Sequence, residues 1–371
     1  MQAHTTFMNK KKILCLVAHR KGRSPGQRFR IEQHIPYLEQ QGFEFTFSNI
    51  ISEKDDQIFY KKGNFLRKFV IFRKSIKTRN EDLKRIRDFD AVFIYREALM
   101  HGSVKIEKKI VKSGVPFILD FDDSIWLMDV SSGNKALRWM KRPLKTAEII
   151  NMSTVTVTGN KYLHSYAAQY GKDVRIIPTT INTDSFQPTK KTTADNKICI
   201  GWTGSSTTLK HFQLALPVLK KIQKKYTDTI SIKLIADVPH KCDELNYEFV
   251  KWNPDTEAAD VNSMDIGIMP LPDDDWSKGK CGFKGLQYMS FEIPTIMSPV
   301  GVNTEIIEDG VNGFFATDEN EWIEKLSLLI ESNELRKKLG KAGRQTVVEK
   351  YSTEANKQKW LQVFKDATEK R

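Results

Sequence analysis

Residues 265–315 restrict the fold of this chain more than any other stretch. Residues 266–271 form a short apolar run of strand length. Residues 272–281 carry charge and glycine and read as a loop. Residues 282–290 read as a short helix with Leu286 and Met289 on its apolar side, and residues 294–297 open a second buried strand. Strand, polar loop, helix, strand is the repeating unit of a parallel α/β sheet. Ligands of such sheets lie beyond the carboxyl ends of the strands, and helix starts attract phosphate. Lys280 and Lys284 bring positive charge to that position. The plain alternative is an ordinary αβ unit with solvated lysines.

The same alternation runs through all 371 residues, a length for about two domains. Strands are expected at residues 11–17, 43–47, 91–95, 116–120, 154–157 and 174–177, with a helix over 29–41. A second set is expected at 197–201, 230–235, 247–250, 265–269 and 295–297, followed by amphipathic helices over 321–330 and 333–350. Residues 187–196 are polar and aperiodic and read as the linker. The expected organisation is therefore a first domain over 1–186 and a second over 197–350, with a final helix in 351–371.

The order of residues in the second half resembles that of family 4 retaining glycosyltransferases, also called group 1. The resemblance rests on Asp265-Ile266-Gly267, Pro270-Leu271, Lys284, Gln287-Tyr288-Met289, Pro299-Val300-Gly301, Glu305-Ile306-Ile307 and Asp309-Gly310-Val311-Asn312-Gly313. It implies a GT-B fold: two facing Rossmann-like doubly wound domains, an acceptor-side domain and a nucleotide-sugar-binding domain, with the active site in the interdomain cleft. It also implies that the last helix crosses back to the first domain. The family carries two Glu residues with seven between them, the second on the nucleotide ribose; here Gly279 and Gln287 stand in those places. A Gln amide binds a hydroxyl less strongly than a charged acceptor does.

On the second domain, Thr203, Gly204 and Ser205 follow a strand. Glycine permits close backbone approach there, and hydroxyls and amides suit a diphosphate. The resemblance adds Lys210 as a phosphate lysine, while Trp202 replaces a family Arg. Trp252 reads equally as core or as a base-stacking residue. Glu305 reads as a helix-capping residue or as a contact to donor groups. Lys280 and Lys284 would bear the charge of a leaving diphosphate, and stabilising such developing charge usually contributes most to catalysis. The run Asp273-Asp274-Asp275 reads as a solvated loop, so a metal is not expected to be required.

On the first domain, Gly26, Arg28 and Arg30 lie between the first strand and helix. The planar guanidinium suits phosphate, and the resemblance puts Gly26 and Arg28 on the donor and Arg30 on the acceptor side. Asp122 and Asp123 end a buried strand, where charge is costly unless paired. They are candidates to orient or deprotonate an acceptor hydroxyl; the alternative is pairing with Arg96 or Arg28. Arg96 would face the same cleft. The front-face attack attributed to the family needs no enzyme nucleophile.

The net charge of +13 favours anionic ligands or surfaces. Much of it lies in residues 61–87, where Phe65, Phe69, Phe72 and Ile76 share one helical face. That helix either lies on an anionic membrane or packs its aromatics into its own domain. A nucleic-acid role lacks a docking motif. The polar start resembles no signal peptide, the apolar runs are too short to span a bilayer, and the four Cys lack metal spacing. A cytoplasmic protein, peripheral on the inner face of the membrane, is the expectation. The expected activity is transfer of a hexosyl group from a nucleoside diphosphate sugar to a hydroxyl of a glycan or lipid-linked glycan, in cell-envelope polysaccharide biosynthesis. The alternatives are a sugar-nucleotide epimerase or hydrolase, and a non-catalytic anion-binding protein with a decayed donor site.

Overall fold

The computed structural model describes residues 10–61, 63–127, 142, 144–189, 197–240 and 242–370. The chain divides into two compact units, Met1–Pro178 with Lys357–Arg371, and Thr179–Asn356. Each is built on a six-stranded parallel sheet.

The first sheet comprises β1 (Lys11–Val17), β2 (Phe43–Asn49), β3 (Ala91–Tyr95), β4 (Phe117–Phe121), β5 (Val155–Thr158) and β6 (Val174–Ile176). Their spatial order is β2-β1-β3-β4-β5-β6. Its central strands are continuous apolar runs because helices cover both faces; every residue of β3 and β4 is buried. Trp360, Val363, Phe364 and Ala367 on the last helix, Thr353–Glu369, recur at three- and four-residue spacing and join this core. Phe364 meets Phe45 edge-on at 5.3 Å, and Trp360 meets Phe93 at 6.1 Å.

The second sheet comprises β7 (Ile198–Thr203), β8 (Ile230–Ala236), β9 (Glu248–Lys251), β10 (Ile266–Met269), β11 (Thr295–Met297) and β12 (Phe314–Phe315). Its order is β12-β11-β10-β7-β8-β9. Gly267 in β10 lets the Tyr288 ring pass, since a Cβ there would lie 2.4 Å from it. Gly285 gives the same clearance to Met297.

Three local expectations change. The helix expected over 29–41 is broken into Pro25–Arg30, a tight turn Glu32–His34, and Ile35–Gln40. Pro36 starts the last piece, because proline suits a first turn and not a helix interior. The strand expected to end at 201 runs on to Thr203, since Trp202 is a fully buried core residue. Residues 179–186, read as the end of the first domain, belong to the second unit. There Ile181 pairs with Ser352, Phe186 packs on Phe291, and Arg344 donates to the carbonyls of Thr183 and Phe186. Most of the expected linker, residues 190–196, lies outside the described residues.

His34 carries a consequence for pH. It is 1 % exposed, and burial, helped by the charge of Arg30, lowers its pKa from 6.5 to about 3. The unfolded chain takes up this proton below about pH 6.5 and the folded chain does not. The contribution to stability is therefore complete above that pH and is lost as pH falls toward 3. At pH 5 the loss is about 2 kcal/mol. Urea unfolding of wild type and His34→Gln at pH 7.5 and 5 should show the variant losing less stability by about that amount. Equal losses would refute the assignment.

Candidate functional site

In each sheet the chain reverses direction once. In the second sheet it leaves β7 toward β8 and β9, then returns to β10 on the other side. The crevice of an open sheet lies at that reversal, here flanked by the loops after β7 and β10.

The loop after β7 is internally committed. The Thr203 amide donates to Tyr288 Oη at 2.9 Å, and the Gly204 amide to the Ile235 carbonyl at 2.9 Å. The Ser205 amide donates to Thr208 Oγ1 at 2.9 Å and that of Ser206 to Asp237 Oδ1 at 2.6 Å. Gly204 is needed here: a Cβ would lie 2.1 Å from the Trp202 ring. These amides hold the turn, so they do not form the open diphosphate cradle expected from the sequence. The Ser205 hydroxyl lies 2.9 Å from Thr207 Oγ1 on the same loop.

Positive charge gathers beside this turn. Lys210 is in the first turn of the helix Leu209–Lys225. Lys280 ends the loop after β10 and lies 4.9 Å from the Trp276 ring centroid. Lys284 starts the helix Phe283–Ser290 with its Nζ 5.5 Å above the Trp202 ring. The cation–π contact helps hold this ammonium in place. The charges of all three act on His211, a residue with no counterpart in the sequence expectations. His211 is 2 % exposed, and neither ring nitrogen has a hydrogen-bond partner among the described residues. Burial lowers its pKa to about 3, and Lys284, Lys280 and Lys210 push in the same direction. The only local clue was its place a few residues after a small-residue loop.

Backbone geometry fixes the lysine loop. Gly282 has φ +68°, and a Cβ there would strike Ile306 at 2.2 Å. Gly301 has φ +56°, and its Cβ would meet the Lys278 carbonyl at 2.6 Å. The acidic run is more ordered than expected: Asp274 accepts from the Ser277 amide at 2.7 Å and caps a short helix, Asp275–Lys278. Asp273 pairs with Lys278 at 3.3 Å.

Gln287 departs from its expected role. It is fully buried, and its Nε2 donates to Glu257 Oε1 at 2.9 Å while its Oε1 has no partner among the described residues. It ties the helix Phe283–Ser290 to the helix Glu257–Asn262 and does not present its amide to a ribose. Trp252, half-buried after β9, is held by its amide on the Ala236 carbonyl. Glu305 is exposed on the short helix Asn303–Ile306. A separate groove of about 390 Å³ is lined by Leu214, Pro217, Leu271, Pro299 and Trp322, and none of the expected donor residues lines it.

The first sheet reverses between β1 and β3. Gly26 presses on that edge: a Cβ would lie 2.0 Å from Tyr95 Oη and 3.0 Å from Asp122 Oδ2. Tyr95 Oη donates to Asp122 Oδ1 at 2.7 Å. Arg96 Nη2 reaches Asp122 at 2.7 Å and Asp123 at 2.5 Å. Arg96 has φ +65°, a strained backbone for a non-glycine residue and one that gathers at functional edges. The pairing alternative thus describes these carboxylates: Arg96 bridges Asp122 and Asp123. Arg28 is half-buried and lies against the Phe29 ring.

Arg30 requires a correction. It is 1 % exposed, its Nε lies 3.1 and 3.2 Å from the two oxygens of Asp120, and its Nη1 donates to the Ile177 carbonyl. It is a buried structural ion pair and cannot meet an acceptor. The sequence placed it two residues from Arg28, which gave no sign of a partner 90 residues away.

Comparisons with known proteins agree on the fold. Residues 264–346 match the family model of glycosyl transferases group 1, a segment that contains Lys280 and Lys284. No curated protein matches the chain by sequence. Sucrose-phosphate synthase from Thermosynechococcus elongatus superposes with a TM-score of 0.70 at 12 % identity, over 96 % of this chain and 98 % of that one. The Anabaena protein Alr3699/HepE, solved with UDP and glucose, gives 0.66 at 12 % identity over 96 % and 99 %. A glycosyltransferase from Rickettsia africae gives 0.65 at 15 % over 97 % and 99 %. The two parallel-sheet units therefore have the GT-B fold, and the segment around the lysines carries the group 1 glycosyltransferase pattern.

Proposed function

We propose that this protein is a retaining glycosyltransferase. It moves a hexosyl group from a nucleoside diphosphate sugar to a hydroxyl of a glycan or lipid-linked glycan, in assembly of a cell-envelope polysaccharide. The observation that carries the reading is Lys284 held 5.5 Å over the Trp202 ring, which packs on the Gly204 turn at the strand reversal, with the charges of Lys280 and Lys210 acting on the same His211. A leaving diphosphate develops negative charge, and fixed cations in a partly desolvated site stabilise it where it forms. The group 1 match over residues 264–346, which holds Lys280 and Lys284, supports the same donor, as does the UDP and glucose bound by Alr3699/HepE. In the proposed reaction the acceptor oxygen attacks the anomeric carbon on the face the diphosphate leaves. The C–O bond to phosphate breaks, and a departing phosphate oxygen takes the acceptor proton. The lysines would do the work of a divalent cation.

A decayed donor site is the reading that Gln287 favours, because its amide is spent on Glu257. A thermal-shift panel of UDP, GDP, ADP, CDP and TDP, with and without Mg²⁺ or EDTA, separates the cases. A ligand bound only by the folded state at 100 times its Kd adds about 2.7 kcal/mol. The expected result is one selective diphosphate, a shift that EDTA leaves intact, and donor consumption once an acceptor is added. Sugar release with donor alone would make it a hydrolase. No shift at millimolar ligand would support the decayed site and remove the donor assignment, and binding with no turnover across acceptors would remove the transfer reading.

A further inference from the structure

The helix Phe65–Lys84 is inverted relative to an ordinary core helix. Its buried positions are Lys68, Ile71, Ser75, Arg79 and Asp82, one of them apolar. Arg79 does the anchoring: it donates to the carbonyls of Val17, Ser48 and Ala98 at 2.8, 3.1 and 2.8 Å, and pairs with Asp82 at 3.0 Å. Those carbonyls lie at the ends of β1 and β2 and just after β3. Because charge and hydrogen bonds fix the helix, its large apolar side chains need not turn inward. Phe65, Leu66, Phe69 and Val70 are 58, 84, 58 and 50 % exposed. Of the aromatics on the helical face read from the sequence, Phe72 is half-buried against His101, at 5.0 Å, and Phe65 and Phe69 face outward.

At 100° per residue, Phe65, Phe69, Leu66 and Val70 occupy one arc, and Arg73 and Lys77 continue it along the helix. Arg67 and Lys74 flank it, and all four basic residues are exposed. Residues 65–80 contain no acidic residue. The first turns thus present a bare apolar wedge and the next turns a row of positive charge on the same side.

We propose that this face docks on an anionic lipid bilayer, with the apolar quartet at the acyl boundary and Arg73 and Lys77 among the headgroup phosphates. Four contiguous large apolar side chains call for an apolar phase, and the adjoining charge selects an anionic one. A nucleic acid satisfies the charge and leaves Leu66 and Val70 in water. A second copy of this chain would set like charges against each other in a two-fold contact. The proposal goes beyond the sugar-transfer reading and does not depend on the donor site.

The test is sedimentation of the full chain with vesicles of pure phosphatidylcholine or with 30 % phosphatidylglycerol. Wild type should bind the anionic vesicles and be released by 0.5 M salt. Arg73→Gln with Lys77→Gln should weaken binding by about 25-fold, roughly fivefold for each charge at such a surface. Leu66→Ser with Phe69→Ser should weaken it by a factor on the order of ten. These side chains are exposed, so circular dichroism and donor binding should stay unchanged. No binding to anionic vesicles, or binding that ignores both double variants, would overturn the proposal. So would light scattering that shows a dimer which Leu66→Ser with Phe69→Ser dissolves, because the face would then be a protein interface.

Discussion

Replacing Lys284 by Ala is expected to reduce turnover by about two to three orders of magnitude, the usual cost of removing one preorganised donor from a developing anion. Nucleoside diphosphate binding should weaken as well, since a hydrogen bond to a charged group contributes about 1.5–3 kcal/mol. The fold should survive. Lys284 lies at the start of its helix, half-buried, with its Nζ over the Trp202 ring. Lys284→Arg should recover part of the binding and less of the rate, because the guanidinium spreads its charge over a larger plane. A second readout comes from His211. Burial is the main cause of its low pKa and Lys284 is the next, so its imidazole should titrate at higher pH in the Ala variant, measurable by NMR. Full turnover by Lys284→Ala would end the site assignment. An unchanged His211 titration would mean that the charge of Lys284 does not act on His211 as described.

Asp120→Asn should destabilise the first unit by about 3–5 kcal/mol, because it leaves the Arg30 charge buried without a counterion. Both side chains are fully enclosed, and burial pushes the Asp120 carboxyl up while Arg30 pulls it down. Arg30→Met should cost a similar amount for the converse reason. The double variant Arg30→Met, Asp120→Leu should recover most of the loss, since two apolar groups of similar volume need no partner. Urea unfolding of the three variants is the measurement. Additive losses in the double variant would show that the two residues do not act as a pair. The cycle matters for function too: an Arg30→Ala variant that loses activity would do so by unfolding, and a normal melting curve in an inactive Arg30→Ala would restore the acceptor-side reading.

Local order was legible because it is written locally. Apolar runs bounded by Gly, Pro and charge gave every strand but the two-residue β12 to within about two residues, and the spacing of Lys280, Lys284 and the surrounding glycines marked the lysine loop. Local reading failed where a residue's partner is distant in sequence. Gln287 finds Glu257 thirty residues upstream, and Arg30 finds Asp120 ninety residues downstream. Neither contact has a spacing that a periodicity argument can see. For the helix over 65–84, local reading left two faces open, and the structure turns Phe65 and Phe69 outward. Amphipathic reasoning turns aromatics inward, and here a buried arginine bonded to the ends of β1 and β2 reverses that preference, because an unpaired buried guanidinium costs more than exposing several apolar side chains.

Strand, helix and loop periodicity, together with the basic and glycine-bearing loop of residues 272–284, were therefore determined by the sequence itself, since each depends on neighbours within a few residues. Tertiary structure alone decided which strands are adjacent and where each sheet reverses. It also decided that His211 is buried and feels the charge of three lysines, that Arg96 bridges Asp122 and Asp123, and which face of the basic helix meets solvent. These depend on burial and charge pairing across tens of residues, where the cost of an uncompensated group outweighs any local preference.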